Sequence, residues 1–462
     1  MLDRVSKGFL TIAVAAVTAF LPLPSRGQDA AQTQAQPAQP QWKDRAEYDL
    51  VQAITTEQNP AKKIELLKSW KEKYPTSAFA GMRNDLFIQT YIAARQPEMV
   101  MKAGADALQA NPHDFTAMFL VSQYMQFLPK PTPDDLATGE KAANGILSDE
   151  STVFDPSKKP ASTTDAAWAE GKAQAEVAAH AALGWIALQK KDDAAAEKEF
   201  TQVLQIAPNA SSPKGWAVDS AQVSSWLGTA IAHEAIQQKK PELYPQALFQ
   251  FARAASLDQS QGGLSAAARQ TYETYFVNAF NRYHGQDAAE MTKLRDLAKA
   301  NAFPPQGWTI DDINTVKSKN EEEFKKKNPA LALWMTLKTA LTAADGQQYF
   351  DANMKGTEVP GGAGGAQTFK GKLISSKPAL HPKQLVLSLG DGTTPDATLN
   401  LDAALPGKAD AGVEIEFAGV PSSFTKDPFN VIFDVEKKKV VGWPGKDAPA
   451  PRHHTAAKKK SE

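Results

Sequence analysis

The sequence predicts two kinds of structure in one chain: an array of stacked helical hairpins, then a small antiparallel β-barrel or sandwich. Three observations carry this. Apolar residues recur three and four apart through much of residues 43–303, the spacing of one helix face. Three segments there end on a similar phrase closed by proline (KEKYP, LQANP, LQIAP), as when one unit is used repeatedly. After the stretch PGGAGG at 360–365 the period changes to alternation of apolar and polar residues.

In chain order, export is the first signal. Arg4 and Lys7 precede an uncharged run, GFLTIAVAAVTAFLPLPS, and Ser25-Arg26-Gly27 offers small residues at a cleavage site before Gln28. Residues 1–27 therefore read as a secretory signal peptide. The alternative is an uncleaved N-terminal anchor, but Pro22 and Pro24 shorten the apolar helix to roughly 13 residues, short of a bilayer. The chain has no cysteine, which excludes a disulfide, a thiolate metal site, a Cys nucleophile and a lipoprotein-type anchor. Export without cysteine suits a bacterial periplasm or secretion. Residues 28–41 lack bulky apolar side chains and read as a disordered linker.

Order is expected from Trp42. Hairpins are predicted over residues 48–75, broken at Asn59-Pro60, and over 78–112. A less regular pair at 115–147 has the apolar helix FTAMFLVSQYMQFL and a Pro-rich joint. Residues 177–209 form the most regular unit. There Leu183-Gly184 and Ala196 leave room for close backbone approach, Phe200, Val203 and Leu204 supply apolar bulk, and Pro208 ends the second helix. Residues 220–258 repeat it with Leu227-Gly228, Ala247 and Phe251, and a last hairpin spans 265–302, turning at Gly285.

The order His180-x2-Leu183-Gly184-x2-Ala187, Ala196-x3-Phe200, Pro208 resembles a tetratricopeptide (TPR) repeat, with His180 in place of the motif's Trp and Ala187 in place of its Tyr. The resemblance implies a TPR-like α-solenoid of five to six helical pairs over residues 42–303. It also implies that the first helix of each pair lines a concave protein-binding groove. Carried over residue by residue, that face has Ala181, Trp185, Leu188 and Gln189 in one unit and Ser225, Thr229, Ala232 and His233 in the next. The candidate protein-binding residues are Trp185, Gln189, Thr229 and His233. An aromatic beside polar groups is the composition of an interface hot spot; equally, Trp185 can pack against a neighbouring repeat or the β-domain. The basic residues that clamp C-terminal carboxylates in some members of the family are not at these positions.

Residues 304–358, with the charged DDINTVKSKNEEEFKKKNP and the more apolar ALALWMTLKTALTAADGQQYFDANM, read as capping helices, since an array needs a polar terminal cover. Residues 359–366 read as a Gly-rich hinge. Residues 367–444 carry TFKGKLISS, QLVLSL, ATLNLD, VEIEFAG and NVIFDV as strands, with PSSFTKDP among the turns. Strand number and the long break before VEIEFAG resemble an OB-fold barrel. Residues 445–462 read as a disordered basic tail.

No catalytic constellation emerges: there is no HExxH, GxSxG, Walker loop or Rossmann glycine pattern. The carboxylates Asp311-Asp312 and Glu321–Glu323 read as solvated helix faces, and Lys325–Lys327 as their i,i+4 partners. His453-His454 lie in the tail, where Lys458–Lys460 can meet an anionic surface. A net charge of −1 gives no overall field for nucleic acid. The expectation is a non-enzymatic scaffold of the bacterial cell envelope. It needs no cofactor or metal, binds unidentified envelope proteins, and meets the membrane only through its leader. The alternative is an envelope polysaccharide-binding module, with Phe424, Phe429 and Trp443 of the β-domain stacking on sugars.

Overall fold

The structure is a computed structural model and describes residues 41–360 and 365–446. The expected leader, most of the linker, the centre of the hinge and most of the tail lie outside the described residues. The described residues divide into two compact units, with the boundary between residues 313 and 314.

The first unit is six consecutive helical hairpins: α1 (Arg45–Thr56) with α2 (Pro60–Lys73), α3 (Ala80–Ala93) with α4 (Pro97–Ala110), α5 (Phe115–Tyr124) with α6 (Pro133–Val153), α7 (Asp165–Lys190) with α8 (Asp193–Ile206), α9 (Ser220–Gln237) with α10 (Tyr244–Ser256), and α11 (Ala266–Tyr283) with α12 (Ala288–Ala300). Local signals set the boundaries. Asp44, Asn59, Asp114, Thr132, Thr164, Asp192 and Asp287 cap helix N-termini with side-chain oxygens, Thr132 and Asp135 forming a capping box. The three repeated phrases share one ending: α2, α4 and α8 each stop two residues before a proline, on Tyr74, Asn111 and Ala207 with φ near −132°, −141° and −140°.

The hairpins close as their small residues require. A Cβ on Gly184 would lie 2.6 Å from Phe200 Cε1, and one on Gly228 2.7 Å from Phe251 Cε1. Phe200 and Phe251 are buried, so these contacts are the helix–helix seam. One continuous apolar core runs through all six pairs. It contains Arg253, 1% exposed, whose guanidinium donates to the carbonyls of Pro208 and Asn301 and to Ser224 Oγ; burial pushes its pKa down to about 10. No helix among the described residues is long and apolar enough to cross a membrane.

The helices expected to cap the array belong elsewhere. α14 (Pro329–Thr342) and α15 (Gly346–Asn353) contribute Trp334, Leu337, Leu341 and Phe350 to the core of the second unit, among β-strand side chains. The Trp334 ring meets Phe369 at 5.6 Å, and its indole N–H donates to buried Asp396 at 3.2 Å. The boundary therefore falls inside 304–358 rather than at the glycines. α13 (Ile313–Lys327) runs across it with no buried residue. At the start of the expected hinge, Val359 is buried in the second core and its carbonyl accepts from Gln367 N at 2.7 Å.

The sheet has seven strands: β1 (Phe369–Lys377), β2 (Gln384–Ser388), β3 (Ala397–Leu401), β4 (Glu414–Phe417), β5 (Val420–Lys426), β6 (Phe429–Val435) and β7 (Val440–Val441), in the order β5-β6-β3-β2-β1-β4-β7. All pairings are antiparallel except β3 with β6. β5 takes up PSSFTK of the stretch PSSFTKDP, expected to be a turn throughout, and leaves only Asp427-Pro428 as the turn. Pro421 is tolerated because the register shifts between Pro421 and Ser423, a bulge that spares a ladder donor. Only Ala418-Gly419 separate β4 from β5. This one run pairs first with β1 and then with β6, so the ladder returns on itself. Glycine is needed at the bend, where a Cβ on Gly419 would lie 2.5 Å from Val435 Cγ2.

Candidate functional site

The four sequence-predicted binding residues differ in exposure. Trp185 is 7% exposed and part of the hairpin core, so the groove reading of this residue is corrected to packing. Its face of α7 is covered by neighbouring helices, which a single-helix pattern does not reveal. Gln189, one turn on, is exposed. Thr229 is half-buried, and its hydroxyl donates to Ser225 O at 2.9 Å. His233 is exposed and its Nδ1 lies 3.1 Å from Asp193 Oδ1, whose other oxygen accepts from Gln237 at 3.1 Å. That cluster ties α8 to α9.

A concave site does exist, nearer the N-terminus. A cavity of about 610 Å³ is lined by α3, α5, the end of α6, the start of α7 and the α1–α2 turn. α3, α5 and α7 are the first helices of hairpins two, three and four, the class of helix the repeat pattern assigns to a groove. None of the four expected residues lines it. Its walls are mainly apolar: Leu86, Ile92, Phe115, Phe119, Leu120, Phe154 and Trp168. Phe154 is held edge-on between Phe115 at 5.7 Å and Trp168 at 5.2 Å, and the Trp168 indole N–H donates to Phe154 O at 3.2 Å. These rings are fixed parts of the wall.

Gln89, Gln123 and Tyr124 are among the uncharged polar residues that line this cavity. Gln123 on α5 is 6% exposed, and its side-chain amide has no hydrogen-bond partner among the described residues. Gln89, half-buried on neighbouring α3, is likewise unpaired there. The Tyr124 hydroxyl has no hydrogen-bond partner among the described residues, and burial raises its pKa to about 12, so it is a neutral donor. Charged lining is confined to Glu57, Lys63 and Lys158, and the Lys158 ammonium already donates to Thr152 O at 2.7 Å. One turn before Gln89, Asp85 is pushed up to about 7, first by burial and then by the charge of Asp114. Among the described residues, no three His, Cys, Asp or Glu side chains gather as a metal site.

From the sequence alone, FTAMFLVSQYMQFL is one apolar helix with no distinguishable face. A helix apolar all round touches neighbours on several faces, so the glutamine inside it was the available signal.

In the second unit, the three aromatics considered for sugar stacking have internal partners. Phe424 packs on Phe350 at 5.0 Å, Phe429 on Trp334 at 6.0 Å with Lys338 Nζ 5.0 Å over its ring, and the Trp443 indole donates to Pro406 O at 2.7 Å. A cavity of about 430 Å³ lies at the start of α14, with Lys370 paired to Glu414 at 2.8 Å on its wall.

No protein-family model matches the chain, and no curated protein matches it. Among solved structures, it is similar to the one titled "Functional Characterization of Pseudomonas Aeruginosa pilF". The two share 13% identity with a TM-score of 0.26, over 54% of this chain and 96% of that one. A score that low carries no argument, and the architecture above rests on this chain's own hairpins and strands.

Proposed function

We propose that the protein is a non-enzymatic scaffold of the bacterial cell envelope that binds protein partners in the groove of α3, α5 and α7. The observation that carries this is the cavity of about 610 Å³, apolar, walled by fixed aromatics and entered by unpaired polar groups. Its size lies in the range of about 300–1,000 Å³ usual for binding pockets. The envelope location rests on the leader-like residues 1–27. We also infer that the β-unit is OB-like: support comes from the parallel β3–β6 pair and the bent β4–β5 run that pairs with both β1 and β6. The polysaccharide alternative has less support, because Phe424, Phe429 and Trp443 are each engaged within the unit.

The test is site-specific photocrosslinking in intact cells. A photoreactive residue at Ala93, exposed on the cavity wall, is expected to trap a discrete protein adduct. The same probe at Gln189 or His233 is expected to trap little. Equal adducts at all three positions, or adducts only from probes on the β-unit, would reject the groove reading.

A further inference from the structure

We propose that a second hollow of the first unit, between α2, α3 and α4, is a binding site for a phosphate monoester, with Lys68 and Lys102 matching its charge and Asn84 and Tyr91 donating to its oxygens. This cavity measures about 330 Å³, at the lower end of the range for ligand pockets. Helical spacing turns one face of each helix toward it: Lys68 with Lys71 on α2, Asn84 with Tyr91 on α3, and Lys102 with Asp106 on α4. By the same geometry this face of α3 lies roughly opposite Leu86, Gln89 and Ala93 of the groove, so the inference does not rest on the groove reading.

Three lysines line the cavity against one carboxylate, Asp106. Lys71 Nζ lies 3.4 Å from Asp106 Oδ2, a pair that ties α2 to α4. Lys68 and Lys102 have no ion-pair or hydrogen-bond partner among the described residues. Two unneutralised ammoniums lining one hollow repel, and an anion between them removes that cost. α3 supplies the neutral donors. Tyr91 is 5% exposed, yet its hydroxyl makes no hydrogen bond among the described residues and is not sealed from solvent, so it opens on the cavity. Burial and then the charge of Asp106 raise its pKa, which keeps it a neutral donor and sets it near the α2–α4 pair. The Asn84 amide, also without a partner among the described residues, adds two N–H donors. A carboxylate offers two oxygens and one charge. A phosphate monoester offers three strong acceptors and nearly two charges, the better match to donors on three helices and two free cations. Inorganic phosphate would leave most of the hollow unused, since a water takes about 30 Å³ and phosphate is only a few waters in size. Phe87, stacked on Tyr91 at 5.9 Å, and half-buried Met99 offer the remaining space to a small apolar body.

The experiment titrates the full chain with phenyl phosphate by calorimetry at low ionic strength. Binding is expected, and tighter than that of inorganic phosphate or benzoate. Lys68→Gln with Lys102→Gln should weaken it at least tenfold without moving the melt, both side chains being exposed. The matched pair Lys62→Gln with Lys73→Gln, on α2 but outside the cavity, changes the net charge equally and should leave binding intact. Tyr91→Phe, which removes only the hydroxyl, should weaken it several-fold. Phosphatidylcholine vesicles with and without phosphatidic acid separate the two sources of the ester. Recruitment by phosphatidic acid that phenyl phosphate competes away places the ester on a lipid, and phenyl phosphate binding without recruitment places it in solution. No binding at millimolar phenyl phosphate, or equal losses from the two lysine pairs, overturns the site. Inorganic phosphate or benzoate binding as tightly as phenyl phosphate overturns the ester assignment.

Discussion

Adding a single methyl group at Gly184 tests the helix seam directly. The new Cβ would lie 2.6 Å from Phe200 Cε1 and 2.8 Å from Cδ1. Favourable carbon contacts begin near 3.5 Å, so the ring must retreat by about 1 Å. It has nowhere to go: Phe200 is fully buried and stacks on Trp226 at 5.4 Å. Overpacking of this kind costs about 1–3 kcal/mol. Alanine's better helix propensity returns about 0.8–1 kcal/mol, leaving Gly184→Ala destabilised by up to about 2 kcal/mol. Gly228→Ala is expected to cost at least as much, since its Cβ meets Phe251 at 2.7 Å and the rigid backbone oxygen of Ala247 at 3.1 Å. Gly81, in the first turn of α3, is the control: nothing lies within 4 Å of its Cβ, so Gly81→Ala should stabilise slightly. Urea unfolding of the full chain, followed by far-UV circular dichroism, compares all three. A Phe200→Leu background should relieve the Gly184→Ala penalty, a coupling that a double-mutant cycle isolates. If Gly184→Ala and Gly228→Ala raise the midpoint as Gly81→Ala does, close approach is not the reason for glycine at these positions.

Trp185→Ala should lower the melting temperature sharply, at a cost of about 3–5 kcal/mol, because the ring is core; a melt near wild type would return it to the surface. Brief trypsin treatment should cut first among the exposed lysines of α13, leaving two fragments that each melt cooperatively. A fragment starting at residue 366, without α14 and α15, should not fold as stably; if it does, the shared core is misassigned. Asp85 is raised from 3.8 to about 7 in the folded state, so the folded chain holds that proton more tightly than the unfolded one. Its stabilising contribution is complete below about pH 4 and lost as pH rises through about 7. The melting advantage of Asp85→Asn over wild type should therefore grow from pH 5 to pH 8, and a constant difference would contradict the buried-carboxylate account.

Much of the fold was legible because its determinants are local. Gly184, Ala196 and Phe200 meet within one hairpin, and the prolines at 75, 112 and 208 act on the two residues before them. Alternation in residues 384–389 and 430–435 survives in β2 and β6 because those strands have one buried face. What escaped depends on distant partners. The stripe Trp334-Leu337-Leu341 announces a half-buried helix without saying that its cover is β1 and β6, or that Asp396, 62 residues on, accepts a hydrogen bond from the indole N–H. Trp185 looked like a binding residue for the same reason: one helix shows an aromatic and not the helices that bury it. The cavity beside α5 was not legible because Gln123 sits in a run too apolar to show a face, and only the packing of α3 and α7 beside α5 reveals which side stays open.

Arg253 has a consequence for how the array comes apart. In a one-dimensional stack each repeat answers only to its neighbours, and the ends fray first. Here a single guanidinium draws on Pro208 at the exit of the fourth hairpin and Asn301 at the exit of the sixth, from its seat in the fifth. Peeling away the last hairpin strands a cation among apolar side chains with too few acceptors. Losing the fourth does the same from the other side. Hairpins four to six are thereby bound into one opening unit, within which fraying repeat by repeat is suppressed. The groove of α3, α5 and α7 straddles the edge of that block. Its seventh helix is anchored inside the cooperative part, and its third and fifth lie in the portion free to open by smaller steps.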